Sequence, residues 1–186
     1  MKEEEEEELI LALLSDKTKQ KAYKQLVNLY SKRIYWHVRK LVLDHDVSND
    51  LVQEIFIKVY QNLSKFKRQS KLYTWIYTIA TNEALNYLNK EAKKKHISFE
   101  EISYEYAMNL ESDKYFNGDE AALFLQKQIA LLPQQQRIVF IMKYNDEMKY
   151  EDISKVLNIT VGALKSNYHH AVKKIQLAVK NLKYEQ

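Results

Sequence analysis

Hydrophobic residues recur three and four positions apart along most of this chain, the spacing that places them on one face of an α-helix. We predict helices over residues 19–43, 49–63 and 71–93, with Ser48 as the N-cap of the second. The inner face of the first helix is formed by Tyr23, Leu26, Val27, Tyr30, Ile34 and Val38. These three amphipathic helices are expected to pack as one bundle.

A second helical group follows. We predict a helix over residues 119–132, one opened by Pro133 and running to about residue 142, and two more over residues 150–157 and 161–182. Asn158 suits the left-handed position that ends a helix, so the last two form a helix–turn–helix. Its inward-facing residues are Ile153, Leu157, Ile159, Leu164 and Tyr168.

Residues 96–120 separate the two groups. They have weak helical periodicity, seven acidic residues against one lysine, and Gly118, one of two glycines in the chain. We predict a linker, with a short helix around residues 99–110, between a first domain at 17–95 and a second at 121–183. An ordinary solvated loop and a regulatory segment are both open interpretations of this linker.

The chain starts with an acidic run, Glu3 to Glu8, followed by the apolar residues 9–14. Carboxylates favour the N-terminus of a helix, but we expect a frayed or disordered acidic lead here. The apolar run is far too short to span a bilayer, and the acidic start is unlike a signal peptide. We therefore expect a cytoplasmic protein.

Composition narrows the fold to an all-α class, in a chain long enough for one domain or two small ones; the acidic boundary at residues 96–120 favours two small helical domains. The 186 residues are 46% hydrophobic, enough for packed cores, and include only two glycines and one proline for turns. There is no cysteine and no glycine-rich loop for nucleotide phosphates. We expect no cofactor, no metal and no catalytic site; His169 and His170 are adjacent and point apart, unlike a metal-binding pair.

Charge is distributed unevenly, although the net charge is only +4. Residues 64–95 carry eight basic groups against two acidic ones, interleaved with aromatic residues. Cations attract phosphates and flat rings stack on unpaired bases, so this segment predicts binding to single-stranded or melted nucleic acid. Trp75, inside an amphipathic helix, is expected to be mostly buried instead.

Two polar helix faces complete the pattern. The helix over 49–63 leaves Asp50, Gln53, Glu54, Lys58 and Gln61 opposite its apolar stripe, free to meet a partner. In the last helix, short polar groups near the start can reach base edges and lysines farther along suit phosphates. That face contains Lys165, Ser166, Asn167, His169, His170, Lys173 and Lys174.

Two segments in this order closely resemble the extracytoplasmic-function type of bacterial RNA polymerase sigma factor, the small two-domain members of the sigma-70 family. DLVQEIFIKVYQNLSKFKRQSKLYTWIYTIATNEALNYL resembles sigma region 2, and LPQQQRIVFIMKYNDEMKYEDISKVLNITVGALKSNYHHAVKKI resembles region 4. The resemblance implies a non-enzymatic factor that binds core RNA polymerase, recognises minus-ten and minus-thirty-five promoter DNA and promotes melting. Small sigma factors are commonly held by an anti-sigma protein, so such a partner is also implied.

The resemblance also implies site residues. Polymerase binding falls on Asp50, Gln53, Glu54 and Lys58. Contact with minus-ten DNA falls on Phe66, Lys67, Arg68, Lys71, Tyr73, Tyr77, Thr78, Thr81, Asn82 and Asn86. Contact with minus-thirty-five DNA falls on Val161, Gly162, Lys165, Ser166, Asn167, His169, His170 and Lys173.

Departures from the family pattern affect base preference. Housekeeping members have two adjacent tryptophans where this chain has Trp75-Ile76, so melting is expected to depend more on promoter sequence. Asn167 and His170 replace the usual arginines, which weakens bidentate guanine recognition. The alternative function is a helix–turn–helix regulator whose N-terminal bundle never binds polymerase.

Overall fold

All regular elements that the computed structural model describes, within residues 3–113 and 119–182, are helical, which confirms the predicted all-α class. The predicted linker residue Gly118 and the last residue of the second predicted domain, 183, lie outside the described residues. The α-helices are α1 (Glu3–Leu14), α2 (Lys19–Val42), α3 (His45–Asn62), α4 (Leu72–Lys95), α5 (Phe99–Met108), α6 (Glu120–Ala130), α7 (Gln134–Phe140), α8 (Tyr150–Leu157) and α9 (Val161–Leu182).

Helices α2, α3 and α4 form the predicted bundle around fully buried residues such as Leu26, Ile55 and Ile76. The turn between α2 and α3 places Leu43 in the left-handed region at φ 59°, and Asp44 then caps α3 by accepting the Val47 N–H at 2.9 Å. The predicted Ser48 cap is wrong, because this residue is buried inside α3 and its hydroxyl donates to the Asp44 carbonyl oxygen.

The acidic start of the chain is an ordered helix, contrary to the expected frayed lead. The apolar half of α1 buries Leu9, Ile10 and Leu13 against the bundle, mainly on α2. The Thr18 hydroxyl donates to the Ala12 carbonyl oxygen at 2.8 Å and holds the end of α1 close to the start of α2. Burial of three large apolar side chains supplies the stability that the acidic half lacks.

Most of the predicted linker is also structured. Ser98 and Glu101 form a reciprocal capping box at the start of α5, a standard way to satisfy free N–H groups. Helix α5 buries Phe99, Ile102 and Ala107 between α4 and α6, so the interpretation as an ordinary solvated loop is wrong here. Residues Asn109–Ser112 continue as a 3₁₀ turn.

The second helical group follows the predicted order. Pro133 immediately precedes α7, which changes to a π turn at Ile141–Asn145 instead of continuing as an α-helix to residue 142. Asn158 adopts the left-handed conformation at φ 55° between α8 and α9, as predicted. Ile153 and Leu164 are wholly buried beneath the turn, and Leu157, Ile159 and Tyr168 pack around them partly buried.

One hydrophobic core runs through both groups, because α8 packs on α4 and the π turn packs on α2. Arg137 of α7 joins them from inside this core. Its guanidinium donates to the Ser103 hydroxyl at 2.6 Å and to the backbone oxygens of Lys40 and Leu41. The two halves are therefore docked against one another in this structure.

Candidate functional site

The acidic face of α3 is exposed. Asp50, Gln53 and Glu54 point outward because Leu51 and Ile55 on the opposite side pack into the bundle. A groove of about 350 Å³ runs beside this face toward α4. Its lining includes Asp50, Glu54, Glu83, Asn86 and Lys90. An exposed acidic ridge suits a partner surface that carries cations.

Lys58 is placed differently from the other residues of this face. Its ammonium group forms an ion pair with Glu83 of α4, and its side chain remains 45% exposed. An exposed ion pair of this kind contributes at most about 1 kcal/mol to stability. Lys58 therefore joins α3 to α4 and is only partly available to a partner.

The segment after α3, residues 66–71, presents cations outward and its aromatic ring inward. Lys67, Arg68 and Lys71 are exposed, whereas Phe66 is only 8% exposed. The Phe66 ring packs at 5.2 Å from the ring of Trp75, which is itself partly buried. In this arrangement the Phe66 ring fills the core and is not available to a flipped base, so the predicted contact stays a prediction that requires a rearrangement.

Tyr73, at the start of α4, is covered by α8. Its hydroxyl donates to the Asp152 carboxylate, and the Thr74 hydroxyl approaches the other oxygen of that group at 3.4 Å. Burial, followed by this hydrogen bond, raises the pKa of Tyr73 to about 12. The hydroxyl is therefore neutral and engaged inside the protein, and it is not free for DNA.

Tyr77 and Thr81 are also buried, at 5% and 1% exposure. The His37 ring connects this part of α4 to the π turn, with its Nε2 2.9 Å from the Thr81 hydroxyl and its Nδ1 2.6 Å from the Asp146 carboxylate. In this docked arrangement Tyr77 and Thr81 are buried beside His37, so their contact with DNA stays a prediction that requires a rearrangement.

The remaining predicted minus-ten residues are on more open surface. Asn82 and Asn86 are exposed on α4, and Thr78 is partly buried with its hydroxyl donating to the Thr74 carbonyl oxygen at 2.9 Å. A strand that follows α4 can reach the two asparagines without any rearrangement. The hydroxyl groups of Tyr73 and Thr81 are already bonded within the protein.

A basic cavity of about 580 Å³ lies where α2, the start of α4 and the segment before α8 meet. Trp36 is 44% exposed at its edge. The cations along its walls are Lys32, Arg33, Lys40, Lys71 and Lys149. Sequence reasoning missed Trp36 and the α2 cations as site residues, although the density of basic residues in this helix was a usable signal.

The outer face of α9 is free of tertiary cover. Gly162, Lys165, Ser166, His169, His170 and Lys173 are exposed, and Val161 and Asn167 are partly buried. The Asn167 amide donates to the Ala163 carbonyl oxygen at 3.0 Å, and Thr160 caps the helix by accepting the Ala163 N–H at 3.2 Å. Nothing in the described chain hinders this face from entering a major groove.

Within the described residues, no three His, Asp or Glu side chains are grouped so that they could hold a metal ion. Among the helices described, none is both long and apolar enough to cross a membrane. The surfaces that remain are an acidic helix face, a basic segment with buried rings and a helix–turn–helix face.

Family models match both halves of the chain. The model for Sigma-70 region 2 matches residues 26–94, and the model for Sigma-70 region 4 matches residues 125–175. Together they span more than half of the sequence, in the order of the two helical groups.

Curated relatives match over nearly the whole length. The chain is 31% identical to the ECF RNA polymerase sigma-E factor of Escherichia coli (strain K12) over 173 residues, 88% of this chain and 89% of that one. It is 28% identical to the ECF RNA polymerase sigma factor SigW of Bacillus subtilis (strain 168) over 172 residues, 88% of this chain and 91% of the relative.

Solved structures share the fold. The sigma factor RpoE in complex with the anti-sigma factor NepR from Bartonella quintana gives a TM-score of 0.67 at 22% identity, covering 86% of this chain and 98% of that one. CnrH in complex with the cytosolic domain of CnrY gives 0.68 at 17% identity, covering 93% and 97%. At these identities the likeness shows the fold.

Proposed function

Because this chain belongs to the extracytoplasmic-function group of the sigma-70 family, we propose that its exposed helix faces divide the work of transcription initiation between them. A factor of this family binds core RNA polymerase and directs it to promoters. In our assignment, the acidic face of α3 binds polymerase, α4 with the preceding segment binds minus-ten DNA, and α9 binds minus-thirty-five DNA.

The observation that supports this assignment most directly is the exposure of two opposite kinds of helix face in one molecule. Asp50 and Glu54 form an acidic face on α3, and Lys165 and Lys173 lie on a basic face of α9. An acidic face is repelled by DNA and a basic face attracts it. The first therefore suits a protein partner and the second suits a promoter.

The docked arrangement adds a step to the proposed mechanism. The Tyr73 hydroxyl is bonded to Asp152 of α8, whereas Tyr77 and Thr81 are buried beside His37 of α2, which links Thr81 to Asp146. We propose that α8 and the π turn leave α4 when polymerase and promoter bind, which frees the Tyr73 hydroxyl and opens this part of α4 to unpaired bases. Base stacking on aromatic rings gives about 1–3 kcal/mol per base, comparable with the cost of opening one base-pair step. A few captured bases then favour the open complex.

The chain would act in the cytoplasm on the polymerase there, without catalysis of its own. Since the RpoE and CnrH structures were solved with NepR and CnrY, we propose that an anti-sigma protein also holds this chain. Such a protein would compete with polymerase or stabilise the docked arrangement.

Co-elution with core polymerase tests this proposal against the alternative of an independent helix–turn–helix regulator. We expect the purified chain to join core enzyme in a one-to-one complex that footprints promoter DNA, with little footprint from the chain alone. The regulator hypothesis would be supported instead by a tight footprint from the chain alone and no complex with core enzyme.

Replacing Lys165 by Ala is expected to weaken binding of the polymerase complex to promoter DNA several-fold. Loss of one phosphate contact should also reduce the slope of log affinity against log salt by about 1. Lys180→Ala, an exposed position farther along α9, is the matched control. Anisotropy titrations at several salt concentrations measure the affinity of each variant complex for promoter DNA. An equal loss of affinity for core polymerase would argue against a role of Lys165 in DNA binding.

A further inference from the structure

We propose that the acidic helix α1 is an electrostatic gate on the minus-ten surface, in which its glutamates occupy the cationic sites that DNA phosphates would otherwise use. This inference rests on the proposed role of residues 66–73 in DNA binding. The proposed function gives α1 no role of its own.

Two direct contacts join the acidic half of α1 to the start of the minus-ten surface. The Glu7 carboxylate pairs with the Arg68 guanidinium at 2.5 Å. The Glu6 carboxylate accepts the backbone N–H of Leu72 at 2.7 Å. Both acceptors are carboxylate oxygens, the side-chain groups most similar to phosphate oxygens in charge and hydrogen bonding.

The Leu72 contact is at the N-terminus of α4, where free N–H groups and the helix dipole attract anions. Lys71, the N-cap residue, makes no side-chain capping bond, so Glu6 supplies the cap from another helix. A phosphate bound at this helix end would compete with Glu6 for the same donor. The geometry therefore puts a chain carboxylate where a DNA backbone would be attracted.

A groove of about 620 Å³ separates α1 from the loop and extends these contacts. One wall has the carboxylates of Glu4, Glu6 and Glu7, and the other has the cations of Arg68, Lys71 and Lys155. A DNA strand in this groove would lie within reach of three negative side chains as well as of the positive ones. Its phosphates would be repelled over distances shorter than about 10 Å, where salt screening is incomplete.

The apolar half of α1 explains why the glutamates stay in place. Leu9, Ile10 and Leu13 are 3%, 6% and 2% exposed, so the helix is anchored by burial. The Glu7–Arg68 pair has side chains 51% and 40% exposed and would be too weak to hold the helix alone. Burial therefore fixes the helix, and the glutamates provide the charge. DNA or polymerase can turn the carboxylates aside without unfolding the anchor.

Changing Glu6 and Glu7 to Gln in the full chain tests the gate directly. The probe is a fluorescein-labelled twenty-nucleotide oligo(dT), titrated by anisotropy at two salt concentrations. We expect the double variant to bind about fivefold more tightly than the unchanged chain, with a steeper salt dependence because its freed cations release more counterions. Circular dichroism confirms that helical content is unchanged.

Glu8→Gln with Asp16→Asn is the matched control, because it makes the same change in net charge within the same segment. The structure gives Glu8 and Asp16 no ion pair with any residue that it describes. We expect this control to bind oligo(dT) within twofold of the unchanged chain. An equal gain in both double variants would overturn the proposal, since bulk charge would then explain it, and so would no gain in either.

A double-mutant cycle with Arg68→Gln adds a second readout, the difference in the effect of this substitution between two backgrounds. In the unchanged chain Arg68 is paired with Glu7, so Arg68→Gln should reduce the affinity for oligo(dT) only slightly. In the Glu6→Gln, Glu7→Gln background the same substitution should reduce that affinity several-fold more. Equal costs in both backgrounds would contradict the gate. If the chain forms no transcribing complex with core polymerase, the proposed function fails, while these titrations still decide whether α1 screens the loop.

Discussion

Replacing both Asp50 and Glu54 by Lys is expected to abolish binding to core RNA polymerase, with a loss of affinity of at least about 100-fold. The two carboxylates are exposed on adjacent turns of α3 and border the same groove. Reversal of both charges would replace attraction to a basic partner surface by repulsion, and like-charge contacts at an interface cost several kcal/mol. Titration of fluorescently labelled chain with core enzyme measures the change.

The fold should tolerate this double substitution, since both side chains point to solvent. Glu8→Lys with Asp16→Lys gives the same change in net charge at exposed positions outside α3 and is the control. We expect the control to keep its affinity for core enzyme. Unchanged affinity in the α3 variant would disprove the assignment of this face, and an equal loss in the control would attribute the effect to net charge.

The second large effect is on stability. Replacing Arg137 by Ala should lower the free energy of unfolding by about 3–5 kcal/mol, because it leaves buried oxygen atoms without donors and removes a large buried side chain. The oxygens belong to Ser103, Lys40 and Leu41. The last two are at the C-terminal end of α2, where carbonyl groups have no partner within the helix. Arg137 thus caps α2 from α7.

Burial lowers the pKa of Arg137 to about 10, so its guanidinium remains protonated and able to donate at neutral pH. Urea denaturation at pH 7 measures the loss of stability. Arg33→Ala, an exposed arginine on α2, is the control and should change stability by no more than about 0.5 kcal/mol. A loss below about 1 kcal/mol for Arg137→Ala would mean that water satisfies these oxygens and that Arg137 is not needed to cap α2.

Helices with strong apolar periodicity could be predicted from sequence almost to the residue. The bounds of α8 and α9 match the prediction because their apolar spacing is regular and Asn158 marks the turn between them. The start of α3 was misplaced, because Asp44 and Ser48 are both good caps in isolation. The left-handed turn at Leu43 makes Asp44 the N-cap of α3. Local sequence preferences do not predict that turn.

Structure that depends on distant contacts was harder to predict. Helix α1 has an acidic half that looks unstructured by itself, and it is ordered because Leu9 and Leu13 reach the bundle. The three glutamines that begin α7 gave no sign that Arg137, the next residue, would be fully buried. In both cases the deciding partners are separated in sequence from the segment concerned.

The candidate site also contains features that local sequence predicts and features that depend on distant contacts. The exposed faces of α3 and α9 followed from amphipathic spacing alone. The covering of Tyr73 by Asp152 and the link from Thr81 through His37 to Asp146 did not, because they require the second helical group to dock on the first. Tyr73 and Asp152 are 79 positions apart in the sequence, and His37 and Asp146 are 109 positions apart. No periodicity within a single segment predicts contacts of this kind.

Run-off transcription with core RNA polymerase and genomic DNA, followed by mapping of start sites, tests the central claim most directly. The account predicts discrete start sites that appear only when the chain is added and that share a common pair of upstream elements near positions minus ten and minus thirty-five. An absence of specific transcripts, with core enzyme shown to be active with another sigma factor, would contradict it.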